Sequence, residues 1–291
     1  MARTASPLRY PGGKSCLLGL TSTILDRNGI SRGHYVEPFA GGCGLALSLL
    51  YGGHVAEIHI NDLDPAVWAF WRCVLEDTDT LIAKIAATPV TIDEWYKQRE
   101  IHRAQDVTDP TPLGFAAFFL NRTNRSGIIK DGGAIGGLEQ TGNYKIDCRF
   151  NVDDLSRRIA RVAKYRDRIH LSNLDASVFL STCNTLPDRS FLFIDPPYFK
   201  KGPGLYTSFY RAEDHSTLAQ SIMRLNLPWA VTYDDVPEIR GLYRTCRQFT
   251  FDIHYSAHQK RLGTELLIAS KGLRIGAHLA LRPCGPSSEA A

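Results

Sequence analysis

Apolar positions along the chain change their period several times, and those changes mark out its elements. "EIHIND" (57–62) alternates apolar and polar residues, the signature of a strand with one buried face. "HYVEPF" (34–39) reads as a short buried strand. The glycine turn "GGCG" (41–44) follows it, then a helix over "LALSLLYGG" (45–53) that glycine closes. Pro65 stands where a helix tolerates proline, at its first position, and opens "PAVWAFWRCVL". Strand, glycine turn, helix and strand make a βαβ unit, which implies a parallel sheet.

From about residue 76 to 165, helical spacing takes over in "TLIAKIAA", "TIDEWYKQREIHR", "PLGFAAFFLNR" and "VDDLSRRIARVAKYR". Between the last two lies a long, polar, glycine-rich stretch, "TNRSGIIKDGGAIGGLEQTGNYKIDCRFN", of a length that points to function or disorder. Strands then return. "RIHLSN" (168–173) leads to a helix starting near Asp175, and "SFLFIDPPY" (190–198) is the strongest strand of the chain. "DHSTLAQSIMRL" is a helix before the strand "WAVTYDD" (229–235), and "TFDIHYS" with "ELLIAS" forms an antiparallel pair. The expected fold is α/β: a mostly parallel sheet with an antiparallel terminal hairpin, interrupted by a mainly helical insertion. The boundaries read as 1–65 and 166–275 for the sheet, 66–165 for the insertion and 276–291 for a disordered tail.

Composition narrows the class without choosing a function. Of 291 residues, 44% are hydrophobic and 22% charged, which supports a packed core. Seven scattered cysteines without a C-x-x-C pair argue against a zinc site or a disulfide framework. No apolar run is long enough to span a bilayer, and the N-terminus lacks a secretory pattern. A cytoplasmic setting with no membrane is therefore expected; separately, no obligate protein partner is expected. A net charge of +4 hints weakly at a polyanionic partner. "PLRYPGGKSCLL" (7–18) ends like a phosphate-gripping P-loop, but Leu8 stands where its first glycine belongs, and no strand precedes it.

The candidate chemistry gathers at strand C-termini, where open α/β sheets bind ligands. Gly41 and Gly42 let the backbone approach a ligand or serve a packing turn. Asp62 stands 20 residues after Gly42, the place of a ribose-binding acid, and equally the place of a helix cap. Asp195-Pro196-Pro197-Tyr198 is the most specific signal. The Asp195 carboxylate and the Pro196 carbonyl can accept both protons of one amino group, and Tyr198 offers a flat face to a base.

"YPGGKS", "EPFAGGCG", "NDLDP", "LNRTNRSGII", "DASVF" and "DPPY", in this order, resemble Dam-type DNA N6-adenine methyltransferases (D12 class, alpha group) over roughly residues 8 to 270. The resemblance implies a Rossmann-like sheet, S-adenosyl-L-methionine as cofactor, double-stranded DNA as partner, no metal, and methyl transfer to N6 of a flipped adenine. It implies that Tyr10 and Lys14 lie beside the cofactor and that Glu37, Pro38, Phe39, Ala40, Gly41 and Gly42 carry its methionine part. Asp62 would hold the ribose, and Asp175 with Ala176 the cofactor's adenine. Asp195, Pro196, Pro197 and Tyr198 would hold the target base. Asn121, Arg122, Arg125, Ser126 and Lys130 fall in the family's DNA-contacting region. From the residues alone, Lys200 and Lys201 read equally as phosphate contacts or as solvated surface lysines, and Arg261 is a further candidate phosphate contact. The same carboxylate–carbonyl device would serve cytosine N4 in DNA or a guanine amino group in RNA, and an inactive DNA-binding homologue is the remaining alternative.

Overall fold

Eight strands form one sheet among the described residues: β1 (His34–Glu37), β2 (Glu57–Asn61), β3 (Ile169–Ser172), β4 (Ser190–Ile194), β5 (Trp229–Asp234), β6 (Arg247–Tyr255), β7 (Arg261–Ala269) and β8 (Arg282–Pro283). Their spatial order is β3-β2-β1-β4-β5-β7-β6-β8. The first five pair in parallel, and β7, β6 and β8 complete the sheet with antiparallel ladders. The computed structural model describes residues 5–9, 14–200, 210–255, 261–276 and 281–284, with backbone alone at 253–255 and 261–262.

β4 is buried on both faces, as its unbroken apolar run requires for a central parallel strand. Alternate residues feed two cores. Phe191 and Phe193 join Tyr35 on one face, while Leu192 and Ile194 join Val36 on the other. The first core continues into the helices α1 (Leu18–Arg27), α2 (Gly44–Tyr51), α3 (Pro65–Glu76), α4 (Thr78–Ala87), α5 (Ile92–Ala104), α6 (Pro110–Thr123) and α7 (Val152–Ala163). The Phe70 and Phe118 rings stack there at 5.7 Å and 9°. Gly114 allows α6 to approach α3 closely, since a Cβ there would lie 2.6 Å from the Ala69 carbonyl oxygen. The second core is covered by α8 (Ala176–Cys183) and α9 (Ala212–Met223).

One expectation needs correction. The stretch 276–291, read as a disordered tail, contains β8, whose Arg282 and Pro283 pair with Thr250 and Phe249. Arg282 also forms a two-pronged ion pair with Asp252, which anchors this short edge. The glycine-rich stretch after α6 is tied down by Asn124, which is fully buried. Its amide accepts from Trp95 Nε1 at 2.6 Å and donates to the Ile128 carbonyl at 2.7 Å. No helix among the described residues is long and apolar enough to cross a membrane.

Candidate active site

The C-terminal ends of the parallel strands deliver one acidic group after another. Glu37 ends β1, Asp62 follows β2, Asp195 follows β4, and Asp234 ends β5. Asp175 stands shortly after β3. The chain reverses its winding between β1 and β4, which puts the ligand crevice of a doubly wound sheet beside Glu37 and Asp195.

Main-chain geometry shapes the β1 side of that crevice. Gly41 and Cys43 both adopt left-handed backbone, with φ of 45° and 53°. The first is easy for glycine, while Cys43 tolerates it in a buried turn that opens α2 (Gly44–Tyr51). Asp62 grips this turn, accepting from Gly41 N at 2.7 Å and from Asp64 N at 3.0 Å. Asp64, not Asp62, caps α3, taking the N–H groups of Ala66 and Val67. The capping role weighed for Asp62 is thus already filled by its neighbour. Burial, reinforced by the nearby Asp64 charge, pushes Asp62 up to about 7.

Asn61 was not singled out from the sequence, yet it ties three strand ends together. Its fully buried amide donates to the carbonyls of Pro38 and Leu174 at 3.1 and 2.9 Å and accepts from Leu174 N at 2.9 Å. Its only sequence signal was polarity at the last position of an otherwise alternating strand. Phe39 packs edge-on against Tyr210 at 6.0 Å, and Tyr210 meets the buried His215 ring at 5.5 Å. Asp175 is exposed and caps α8 through Ser177 N at 2.8 Å, with Ala176 buried behind it.

The β4 side is organised by a buried cation. Lys14 Nζ lies 2.9 Å from Asp195 Oδ2 and donates to the Tyr198 hydroxyl at 2.9 Å. Glu265, fully buried on β7, has a carboxylate oxygen 3.8 Å from the same nitrogen. Burial by itself disfavours the charged form of Lys14. Asp195 and Glu265 outweigh that and hold the ammonium above the ordinary lysine value. Thr232, on β5, donates to Asp195 Oδ1 at 2.7 Å. Asp234 then takes the main-chain N–H groups of Phe199 and Lys200 at 2.9 Å each, fixing the turn after Tyr198. Thr232, Asp234 and Glu265 come from strands far away in sequence, so no local motif announced them.

Several expected placements differ from the structure. Lys14, expected beside the cofactor and the active site, is bonded to Asp195 and Tyr198 at the β4 end. Tyr198 is buried and turned toward Lys14, with its ring 6.5 Å from that of Tyr233. Pro196 and Pro197 are buried. Asn121 and Arg122, expected at DNA, face the interior. Asn121 holds Arg9 and Gly127, and Arg122 donates to the carbonyls of Arg149 and Pro7. Their backbone partners would be orphaned if they turned outward, which is why α6 keeps them inside. Arg125, Lys130 and Lys200 are exposed, and Ser126 is half-buried with a φ of 56°. Tyr10 and Lys201 lie outside the described residues, and Arg261 is described as strand backbone only.

Glu37 supplies a prediction about stability. It accepts from the Tyr35 hydroxyl at 2.8 Å, yet burial pushes its carboxyl from 4.5 up to about 8. The folded state therefore binds a proton that the unfolded state releases. The stability this contributes is complete below pH 4.5 and is lost as the pH climbs through about 8. Urea midpoints measured at intervals across that window are expected to fall for the wild type. Glu37→Gln is expected to flatten the decline. An equal slope in the variant would contradict the assignment.

A family model described as D12 class N6 adenine-specific DNA methyltransferase matches residues 10–262. The chain is 21% identical over 266 residues to the retron Ec67 DNA adenine methylase of Escherichia coli, covering 88% of this chain and 85% of that one. It is 23% identical over 204 residues to the type II methyltransferase M.MjaIII of Methanocaldococcus jannaschii, covering 66% and 68%. Among solved structures, a putative RNA methyltransferase from Pyrococcus horikoshii aligns with a TM-score of 0.41 at 10% identity, over 90% of this chain and 84% of that one.

Proposed function

The chain belongs to the D12 class of N6 adenine-specific DNA methyltransferases, and from that premise we propose how its residues divide the work of methyl transfer to adenine. S-adenosylmethionine supplies an activated methyl group when bound. The Pro38–Gly42 turn takes its methionine part, Asp62 its ribose hydroxyls, and Asp175 its adenine amino group. The donor set fits such a ligand. Each Asp62 oxygen accepts one backbone N–H and retains a lone pair, suiting two hydroxyl donors side by side.

The target adenine is inaccessible within the duplex, so the enzyme extrudes it at a cost of a few kcal/mol. Its amino group then donates to the Asp195 carboxylate and to the Pro196 carbonyl. As the amino nitrogen takes the methyl group, the electron pair of the methyl–sulfur bond would leave with the sulfur; the two acceptors would stabilise the positive charge growing on the nitrogen, and the surplus N–H proton would depart along the hydrogen bond to Asp195. Lys14 and Thr232 hold Asp195 so that its orientation requires no rearrangement at that moment. The bonds from Lys14 Nζ to Asp195 and Tyr198 are the observation that carries this division of roles. They join the N-terminal lysine block to the Asp195–Tyr198 motif across 184 residues of sequence.

We assign DNA reading to the 66–165 insertion, with Arg125, Ser126 and Lys130 as base or phosphate contacts and Lys200 at the backbone of the DNA. Asn121 and Arg122 act behind them as struts. A cytoplasmic setting, beside the DNA it modifies, belongs to the same proposal.

Asp62 provides the test of the cofactor side. Ribose hydroxyls donate best to an ionised carboxylate, and Asp62 titrates near 7. S-adenosylmethionine affinity, measured by calorimetry, is expected to rise as the pH passes through about 7 and then level off. Asp62→Asn is expected to bind more weakly, without that rise. A variant with the wild-type pH profile would remove Asp62 from the ribose site.

A further inference from the structure

A separate cluster of side chains lies at the opposite ends of the same strands. His34 opens β1 and Glu57 opens β2. Parallel pairing sets His34 beside Glu57 and His59 beside His170. Neighbours in register, and residues two apart on one strand, share a face of the sheet. All four side chains therefore project from one face. His34 Nδ1 is 2.9 Å from His59 Nε2 and 3.8 Å from Glu57 Oε2. One ligand atom each from His34, Glu57 and His59 fits within 4.8 Å of the others.

We propose that His34, Glu57 and His59 form a transition-metal site that takes Zn²⁺ and clamps the first two parallel strands together. Two imidazoles and a carboxylate are a donor set that this ion favours. Tetrahedral bonds of about 2.0–2.1 Å hold ligand atoms roughly 3.3 Å apart, so only small side-chain movements close the trio on an ion. The fourth position belongs to water, since the cluster is only half-buried. His170 Nε2 lies 2.6 Å from Glu57 Oε2, and its ring stacks on His59 at 4.4 Å. It holds the carboxylate in the orientation that binding needs, as outer partners of metal ligands do.

The site stands apart from methyl transfer. β1 spans four residues from His34 to Glu37, about 10 Å at the rise of a strand. The ion would brace strands whose other ends carry Glu37 and Asp62, without touching either. The cysteine spacing, which argued against a zinc site, gave no hint of this one, because its ligands are imidazole and carboxylate brought together by strand pairing.

The test uses the full chain after chelator treatment. Titration with ZnCl₂ in a calorimeter is expected to show one ion per chain and to raise Tm by several degrees, whereas MgCl₂ should do neither. Co²⁺ is expected to give the visible bands of a four-coordinate nitrogen and oxygen site, with no thiolate charge-transfer band. His34→Ala and Glu57→Gln are expected to abolish binding, and His170→Ala to weaken it about 10- to 100-fold. Absence of zinc heat and of a Tm shift would overturn the proposal. So would a thiolate band in the wild-type Co²⁺ spectrum, which would put the ion on exposed Cys16 or Cys148. The wild-type spectrum decides the matter even if a variant fails to fold.

Discussion

Asp195→Asn is expected to lower methyl transfer to duplex DNA by about three orders of magnitude, the scale of losing one preorganised charge partner of a transition state. The side chain keeps its shape, and its amide oxygen can still accept from Thr232. The negative charge that balances the developing positive nitrogen is removed. The new NH₂ also faces either the Lys14 ammonium or the target amino group, and both are donors. S-adenosylmethionine binding should persist, because the cofactor contacts proposed above, the Pro38–Gly42 turn and Asp62, follow β1 and β2 rather than β4. Labelled methyl incorporation and calorimetry on the same preparation separate the two effects. Near-normal turnover in the variant would show that the acid does not serve the reacting amine.

The second large effect concerns stability. Lys14→Met should destabilise the fold by about 3–5 kcal/mol, the usual result of removing one partner from a buried ion pair. Methionine fills much of the volume, so the loss reports charge more than packing. Glu265 is fully buried and Asp195 largely so, and both would then lack the ammonium. Adding Glu265→Gln removes one of those carboxylates, and the double variant should recover part of the loss in urea unfolding. The double variant should remain catalytically poor, since Asp195 and Tyr198 still lack the group that orients them. If Lys14→Met unfolds at the wild-type midpoint, the ammonium is not what holds this corner together.

Both expectations turn on a contact between residue 14 and a turn almost two hundred residues later, and that decides how far the sequence could be read. The order of elements was legible because each carried its own period. The alternating "EIHIND" became β2, the unbroken "SFLFI" became the doubly buried β4, and Pro65 opened α3 behind its capping Asp64. The acids at strand ends were legible too, since a carboxylate after an apolar run stands out locally.

The errors and omissions have a common physical origin. Asn121 and Arg122 look like DNA-binding groups in "LNRTNRSG", but a polar side chain on the inner side of a buried helix satisfies backbone groups instead. Nothing in the local pattern distinguishes those two situations. Asn61, Thr232, Asp234 and Glu265 carry no local signal of their roles, because each acts on a segment remote in sequence.

What the sequence determined by itself was the succession of strands and helices, the parallel sheet, the resemblance that named a chemistry, and the acids at the strand ends. Those features depend on periodicity and on short motifs, which act over a few residues. Only the tertiary structure decided that Lys14 sits against Asp195, that Asp62 is released from capping, that Asn121 and Arg122 face the interior, and that the side chains of His34, Glu57 and His59 meet on β1 and β2. Each of these depends on which distant strands become neighbours, and that is set by packing of the whole sheet rather than by any local stretch.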